Sequence, residues 1–277
     1  VSVLGNVSSV QGSYNGSIVT AFANNTDIDA YTTNSTIYVD GISAEIHGVY
    51  NSANATTKGD VSSIHVSGNN STLIANGIGS SIEGVYANSS TATTNGNASN
   101  VRSDSNNSTI TASGIGSTVT GQAIDSSISE KGIANNITAY ADTCNIDIIG
   151  NSNLMNANNT GGNDTNLKGD GNVVSGTMDN SSVTISSDNN IIGGLYDGAN
   201  FSVAGSNNLI EGSTTGTLNV GSNGNLIGGS RSGSVTVSST SGNNILGGST
   251  SGNVSLIGGN NIIGGSMSGS LSVGSVS

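Results

Sequence analysis

The sequence predicts an all-β fold: a parallel β-solenoid (β-helix) of about fifteen 18-residue coils, with two or three short strands in each coil. Three observations predict it. From Asn189 onward one phrase recurs, as NNIIGG, NNLIEG, GNLIGG, NNILGG and NNIIGG, with apolar pairs beginning at Ile191, Leu209, Leu226, Ile245 and Ile262 in steps of 18, 17, 19 and 17 residues. The same period runs back through Val173, Leu154, Ile137, Val119, Val101, Ile82, Ile64, Ile46, Ile28 and Val10. Between these points the chain shows period-2 alternation with Gly, Asn and Ser punctuation, and no apolar stripe of helical period.

Each coil supplies a second apolar site about nine residues after the first. It is Val19, Ile37, Leu73, Ile110, Ile128 and Ile146 in the first half, and the triplets Phe201-Ser202-Val203 through Leu271-Ser272-Val273 in the second. Eighteen residues are too few for a helical hairpin but enough for short strands joined by turns. Each strand then pairs in parallel with its equivalent one coil on, and the sheets close around their own interior. The 277 residues include no Pro, which fits a chain whose strand N–H groups are all needed by a ladder.

Taken in order, residues 1–150 read as an N-terminal section in which Gly41, Gly59, Gly77, Gly114, Gly132 and Gly150 mark one corner. A column held as Gly implies positive φ. Several coils of this section add a third apolar site, at Ile42, Ile78, Ile115 and Ile133. Residues 151–172 are the least regular and read as a distorted coil or kink. Residues 173–277 form a C-terminal section of the same continuous domain, in which Asn doublets precede the apolar pairs and stacked amides can hydrogen-bond along the axis.

The column after the main apolar site is polar in the first half (Asp29, His47, His65, Glu83, Arg102) and apolar in the second. Consecutive strand residues point to opposite faces. Either a bulge turns both apolar residues of a pair inward, or Val174, Ile192, Ile210, Ile227, Leu246 and Ile263 form an exposed lateral stripe that joins one solenoid to another; the stripe is the expectation taken. Val1, Val3, Leu271 and Val273 fall on core positions of the outermost coils and are expected to make axial end-to-end contacts.

Net charge is −12, with 17 acidic and 5 basic residues, and after Glu211 the only charged side chain is Arg231. An acidic chain argues against a nucleic-acid partner. No membrane span or signal peptide is read in the sequence. The single Cys, Cys144, reads as a small residue in a turn. His47 and His65, one coil apart with Glu83 next, would stand about 5 Å from each other, but no Cys or third His supports a site, so no metal or cofactor is expected. The acids are scattered over many columns without the clustering that glycoside cleavage needs, so no enzyme activity is expected. The Gly-rich repeats lack the recurring Asp of calcium-binding nonapeptides. N-x-S/T sequons at expected corners, Asn34, Asn70, Asn107 and Asn180, are candidate glycosylation sites.

In composition and periodicity the chain resembles β-solenoid repeat proteins of extracellular fibres, sheaths and adhesins. The resemblance implies an extracellular or cell-surface structural protein whose partner is itself. It would self-assemble by end-to-end stacking, with lateral contacts, into a filament, sheath or surface layer, and could carry covalent glycans. The alternatives are an ice-binding solenoid, which needs Thr-x-Thr in successive coils, and a glycan-binding adhesin or tail-fibre shaft. For the first, Thr36, Thr72 and Thr109 share a column that ends at Ser127 and lacks a second threonine.

Overall fold

A computed structural model describes all residues except 6, 7, 161, 163, 239–241 and 275–277. The chain is a parallel β-solenoid of about 14 turns, against the fifteen expected, and the described residues contain no helix. Every described pairing is parallel, with partners 17 to 19 residues apart, such as Ile28↔Ile46 and Val220↔Val237. The backbone falls into two compact units, Val1–Tyr140 and Ala141–Ser277.

In Val1–Tyr140 the coils up to Asn106 alternate a long strand with a shorter one, and from Thr109 the strands of both ladders are seven residues long. Thr26–Thr33, Glu45–Asn51 and Ser63–Asn69 pair in sequence as one ladder. Ile18–Phe22, Thr36–Asp40, Asn54–Lys58 and Thr72–Asn76 pair as another. Thr26–Thr33 alternates without interruption, with Ala30 where the next coil has Gly48, and the following strand is bent. In Glu45–Asn51 the buried residues are Ile46 and Tyr50, four apart, with Gly48 at the bend (φ +130°). A Cβ on Gly48 would stand 1.8 Å from the Ala30 oxygen of the preceding coil, so the bend requires Gly there. The expected core columns are inside: Val10, Ile28, Ile46, Ile64, Ile82, Val101, Val119 and Ile137 are all buried.

In Ala141–Ser277 the same bend becomes a break. Val173–Asp179 is still one strand, but its successor is two, Ile191–Ile192 and Leu195–Asp197. The GG of the repeat, Glu211-Gly212 in its second copy, forms this break, and later coils therefore have three strands. The stretch 151–172, expected to be irregular, holds two strands in register: Leu154–Thr160 pairs with Val173–Asp179, and Asp164–Lys168 with Ser182–Ile185.

Two corner columns have left-handed backbone, each followed by an inward polar or small residue. At one corner Asn34, Asn70, Asn107 and Asn180 all have φ +49°. Each is followed by a buried serine, Ser35, Ser71, Ser108 and Ser181, whose hydroxyl donates to the carbonyl two residues back (Thr33, Asn69, Asn106, Asp179) at 2.8 to 3.0 Å. Cys144, buried after Thr143 (φ +52°), occupies the same slot, which agrees with its reading as a turn residue. The Gly column at the other corner has the expected positive φ at Gly59, Gly77, Gly114, Gly132 and Gly150.

Candidate interaction surface

A buried polar column sets the phase of the coils from Ser62 onward, and Ala44 holds the same position one coil earlier. In the first unit it is Ser62, Ser80, Ser99 and Ser117, then Asn135; in the second it is Asn153, Asn172, Asn190, Asn208, Asn225 and Asn244. The Oδ1 of each later Asn accepts the backbone N–H of the one before it, at 2.8 Å from Asn153 to Asn172 and again from Asn190 to Asn208. The side-chain amides of Asn172 and Asn208 donate to the carbonyls of Gly169 and Gly205 at 2.6 and 2.8 Å, closing their own corners. The amide ladder expected from the Asn doublets is therefore present and buried. The first Asn of a doublet takes the left-handed corner (Asn189, φ +59°; Asn207, φ +58°), and the second turns inward.

This column overturns the expected composition of the lateral stripe. Two residues after an inward Asn the chain points inward again. Val174, Ile192, Ile210, Ile227 and Leu246 are thus buried, and Ile263 is half-buried. The outward residue is the one between. Leu154, Ile191, Leu226, Ile245 and Ile262 are 41 to 62 % exposed, with Val173 and Leu209 half-buried among them. The expectation took the main column from Ile137 to Leu154, a step of 17, where the core steps 18 to Met155, and a one-residue slip exchanges the two faces of a strand. A signal was present in the sequence: polar-x-apolar repeats as Ser117-x-Val119, Asn135-x-Ile137, Asn153-x-Met155 and Asn172-x-Val174.

The stripe is one unbroken register ladder, Leu154↔Val173↔Ile191↔Leu209↔Leu226↔Ile245↔Ile262. At one coil per roughly 4.8 Å it extends about 30 Å. Two residues on, on the same face, stand Gly193, Glu211, Gly228, Gly247 and Gly264. A Cβ built on Gly193 or Gly264 meets nothing within 4 Å, so a trough of bare backbone lies beside four of the seven ridge residues, while Asn156, Ser175 and Glu211 fill the position beside Leu154, Val173 and Leu209. In the first unit the position equivalent to the ridge is polar: Glu45, Ser63, Ser81, Asn100 and Thr118 pair in succession. Polar residues therefore suit the fold at this position.

The four residues expected at the ends hold core-column positions in the outermost described coils. Val3 pairs with Ala21, Leu271 with Val254 and Val273 with Leu256. Val1, Leu271 and Val273 are exposed and Val3 is half-buried.

The imidazoles of His47 and His65 stack with centroids 5.1 Å apart. Each has a carboxylate neighbour, Glu45 at 3.1 Å and Glu83 at 3.9 Å, and no group of three potential metal ligands occurs among the described residues. Among the described residues one carboxylate and one guanidinium side chain are buried. Glu130 stands in the core with neither carboxylate oxygen hydrogen-bonded, and desolvation pushes its pKa up to about 8. Arg231 points inward, its Nη2 donating to the carbonyls of Gly228 and Ile210, and desolvation lowers its pKa to about 10. Asn34, Asn70, Asn107 and Asn180 are all exposed. Sequence reasoning missed both buried charges, because a Glu after Ser129 and an Arg between two serines read as outward-facing polar residues.

The register also corrects the threonine count. Thr91-Ala92-Thr93 pairs residue for residue with Thr109-Ile110-Thr111, and Thr91 with Thr72, so two adjacent coils do carry the second threonine.

Family models, curated proteins and solved structures were compared with this chain, and none matches. Among the described residues no helix is long and apolar enough to cross a membrane.

Proposed function

We propose that this chain is a structural protein that self-assembles through its solenoid coils into a filament, sheath or surface layer, in an extracellular or cell-surface setting. The observation that carries the reading is the aliphatic ladder from Leu154 to Ile262, held outward at a position where the first unit uses polar residues. The core does not need these side chains, so their apolar surface is available to a partner. Covering each one contributes on the order of 1 kcal/mol, since about half of a Leu or Ile is involved and full burial is worth about 1.5–3 kcal/mol.

The axial half of the proposal rests on register. Each coil presents the same parallel edge to the next, so a coil from a second copy can continue the ladder. The role is mechanical and uses no catalytic group. The exposed corner sequons support an extracellular setting in which those asparagines carry glycans.

Negative-stain microscopy of the purified chain tests the reading. Filaments or sheets with a solenoid cross-section are the expected result. Discrete single particles at every concentration overturn it.

The paired threonines favour one second reading, an ice-binding face on the first unit, built on Thr72, Thr91, Thr93, Thr109 and Thr111. Ser127 and Ser129 continue both columns on one side, while Ile74 interrupts the second column on the other. Thermal hysteresis that disappears in Thr91→Lys/Thr109→Lys supports this reading, and its absence from the wild-type chain ends it.

A further inference from the structure

We infer that the ridge and trough of the Ala141–Ser277 unit form a self-complementary docking surface, and that its occupant is the same surface of a second copy related by a two-fold axis. The inference rests on the structural reading above and names its lateral partner.

Three observations select a second copy. The first is period. Seven aliphatic side chains stand in one register ladder, so only a surface with the same coil spacing stays in step along all of it. A second copy of this chain has that spacing.

The second is shape. Ridge and trough lie side by side, two residues apart: Ile191 beside Gly193, Leu226 beside Gly228, Ile245 beside Gly247, Ile262 beside Gly264. The backbone is bare at Gly193 and Gly264, and a Cβ at Gly228 or Gly247 would meet nothing closer than 3.7 Å. A two-fold axis seats the ridge of each copy in the trough of the other, as an isologous interface requires.

The third is charge. Glu211 is the only ionisable group in the trough, and beyond it the only charged residue is the inward Arg231. Two copies meet there with almost no like-charge opposition, and a partner recognised by charge finds nothing to hold.

The footprint sets the strength. A strip about 30 Å long and about 10 Å wide covers about 300 Å² per copy, less than half the roughly 800 Å² per partner of a stable complex. A single pair is therefore weak. Pairing becomes strong when end-to-end stacking aligns the strips of successive copies, because each further contact is then intramolecular. Lateral pairing and axial growth reinforce one another.

Glu211 leans over the trough: a Cβ on Gly228 would lie 3.7 Å from its Cγ. Replacing it by Gly, the residue in the neighbouring coils, extends the trough through the middle of the strip.

The test compares wild-type chain, Leu226→Asn/Ile245→Asn and Glu211→Gly by sedimentation over a wide concentration range and by filament width in negative stain. Circular dichroism checks that each variant keeps the wild-type fold. Asn is the native residue at the equivalent position 100, so the double variant is expected to fold. Wild type should give laterally paired assemblies. The double variant should pair at least tenfold more weakly and leave single-width filaments, while Glu211→Gly should pair more tightly. Wild-type filaments of single width, or a folded double variant that pairs like wild type, overturn the docking surface and leave the structural reading standing. A wild-type chain that stays monomeric throughout overturns both.

Discussion

Asn190 and Asn208 stand one coil apart inside the C-terminal unit, and the Oδ1 of Asn208 accepts two hydrogen bonds from Asn190, one from its backbone N–H at 2.8 Å and one from its side-chain amide at 3.2 Å. Asn208 in turn donates its amide to the Gly205 carbonyl and its backbone N–H to Asn225. Each Asn thus satisfies its own corner and the coil beside it. Removing one side chain strands a buried donor in one coil and a buried acceptor in another. Asn208→Ala should therefore cost about 2–4 kcal/mol, several times the net worth of one surface hydrogen bond. Urea unfolding of Asn208→Ala beside an exposed control, Asn219→Ala, measures the difference; equal midpoints would mean that the ladder is not a structural element.

Glu130 gives the protein a definite pH dependence. A carboxyl whose folded pKa lies above its unfolded value keeps a proton that the unfolded chain has released. Stability from this group is therefore full below the unfolded value and falls as pH rises through the window up to about 8. At pH 7 the cost is on the order of 3 kcal/mol. In Glu130→Gln that slope disappears. The difference in unfolding free energy between Glu130→Gln and wild type should grow in favour of the variant from pH 5 to pH 8 and then level off. A difference that stays constant over this range would show that the carboxyl ionises freely in the folded state.

The glycines of the repeat are of two kinds, and only one is required by the backbone. Gly229 has φ +88°, and a Cβ there would come within 2.0 Å of the Gly212 carbonyl oxygen. Gly259 has no positive φ, and a Cβ there would meet nothing within 4 Å. Gly229→Ala should lose more than about 3 kcal/mol or fail to fold, whereas Gly259→Ala should be neutral or gain about 0.4–1 kcal/mol by restricting the unfolded chain. Thermal melts of the two variants read this contrast directly.

The sequon corners allow glycosylation to be separated from folding. Asn34, Asn70, Asn107 and Asn180 take a left-handed conformation that Gly adopts without strain. Replacing all four by Gly should leave the melting temperature close to that of wild type while removing the acceptor amides. Secreted from a glycosylating cell, wild type should carry added mass that an N-glycosidase removes, and the fourfold variant should carry less. Equal masses would mean that these asparagines serve the turn alone. Replacing Asn70 by Val, which resists positive φ, should cost about 1–2 kcal/mol.

The fold was legible because a solenoid writes its architecture locally. Ile28, Ile46, Ile64 and Ile82 recur at the coil period, and a period of this length with strand alternation permits few structures other than stacked parallel coils. The Asn doublets, the Gly corner and the exposed sequons could be read for the same reason, since each is a property of one turn.

The sequence by itself thus determined the period, the parallel stacking and the chemistry of each corner. The tertiary structure decided which of two adjacent apolar residues faces inward. In a pair such as Ile191-Ile192 both side chains suit either face, so local preference does not separate them, and the choice is made one coil away by the hydrogen bond that draws Asn190 onto Asn208. It also decided that Glu130 and Arg231 lie inside, because burial depends on what the neighbouring coils stack above and below a residue as well as on the residues beside it in the chain.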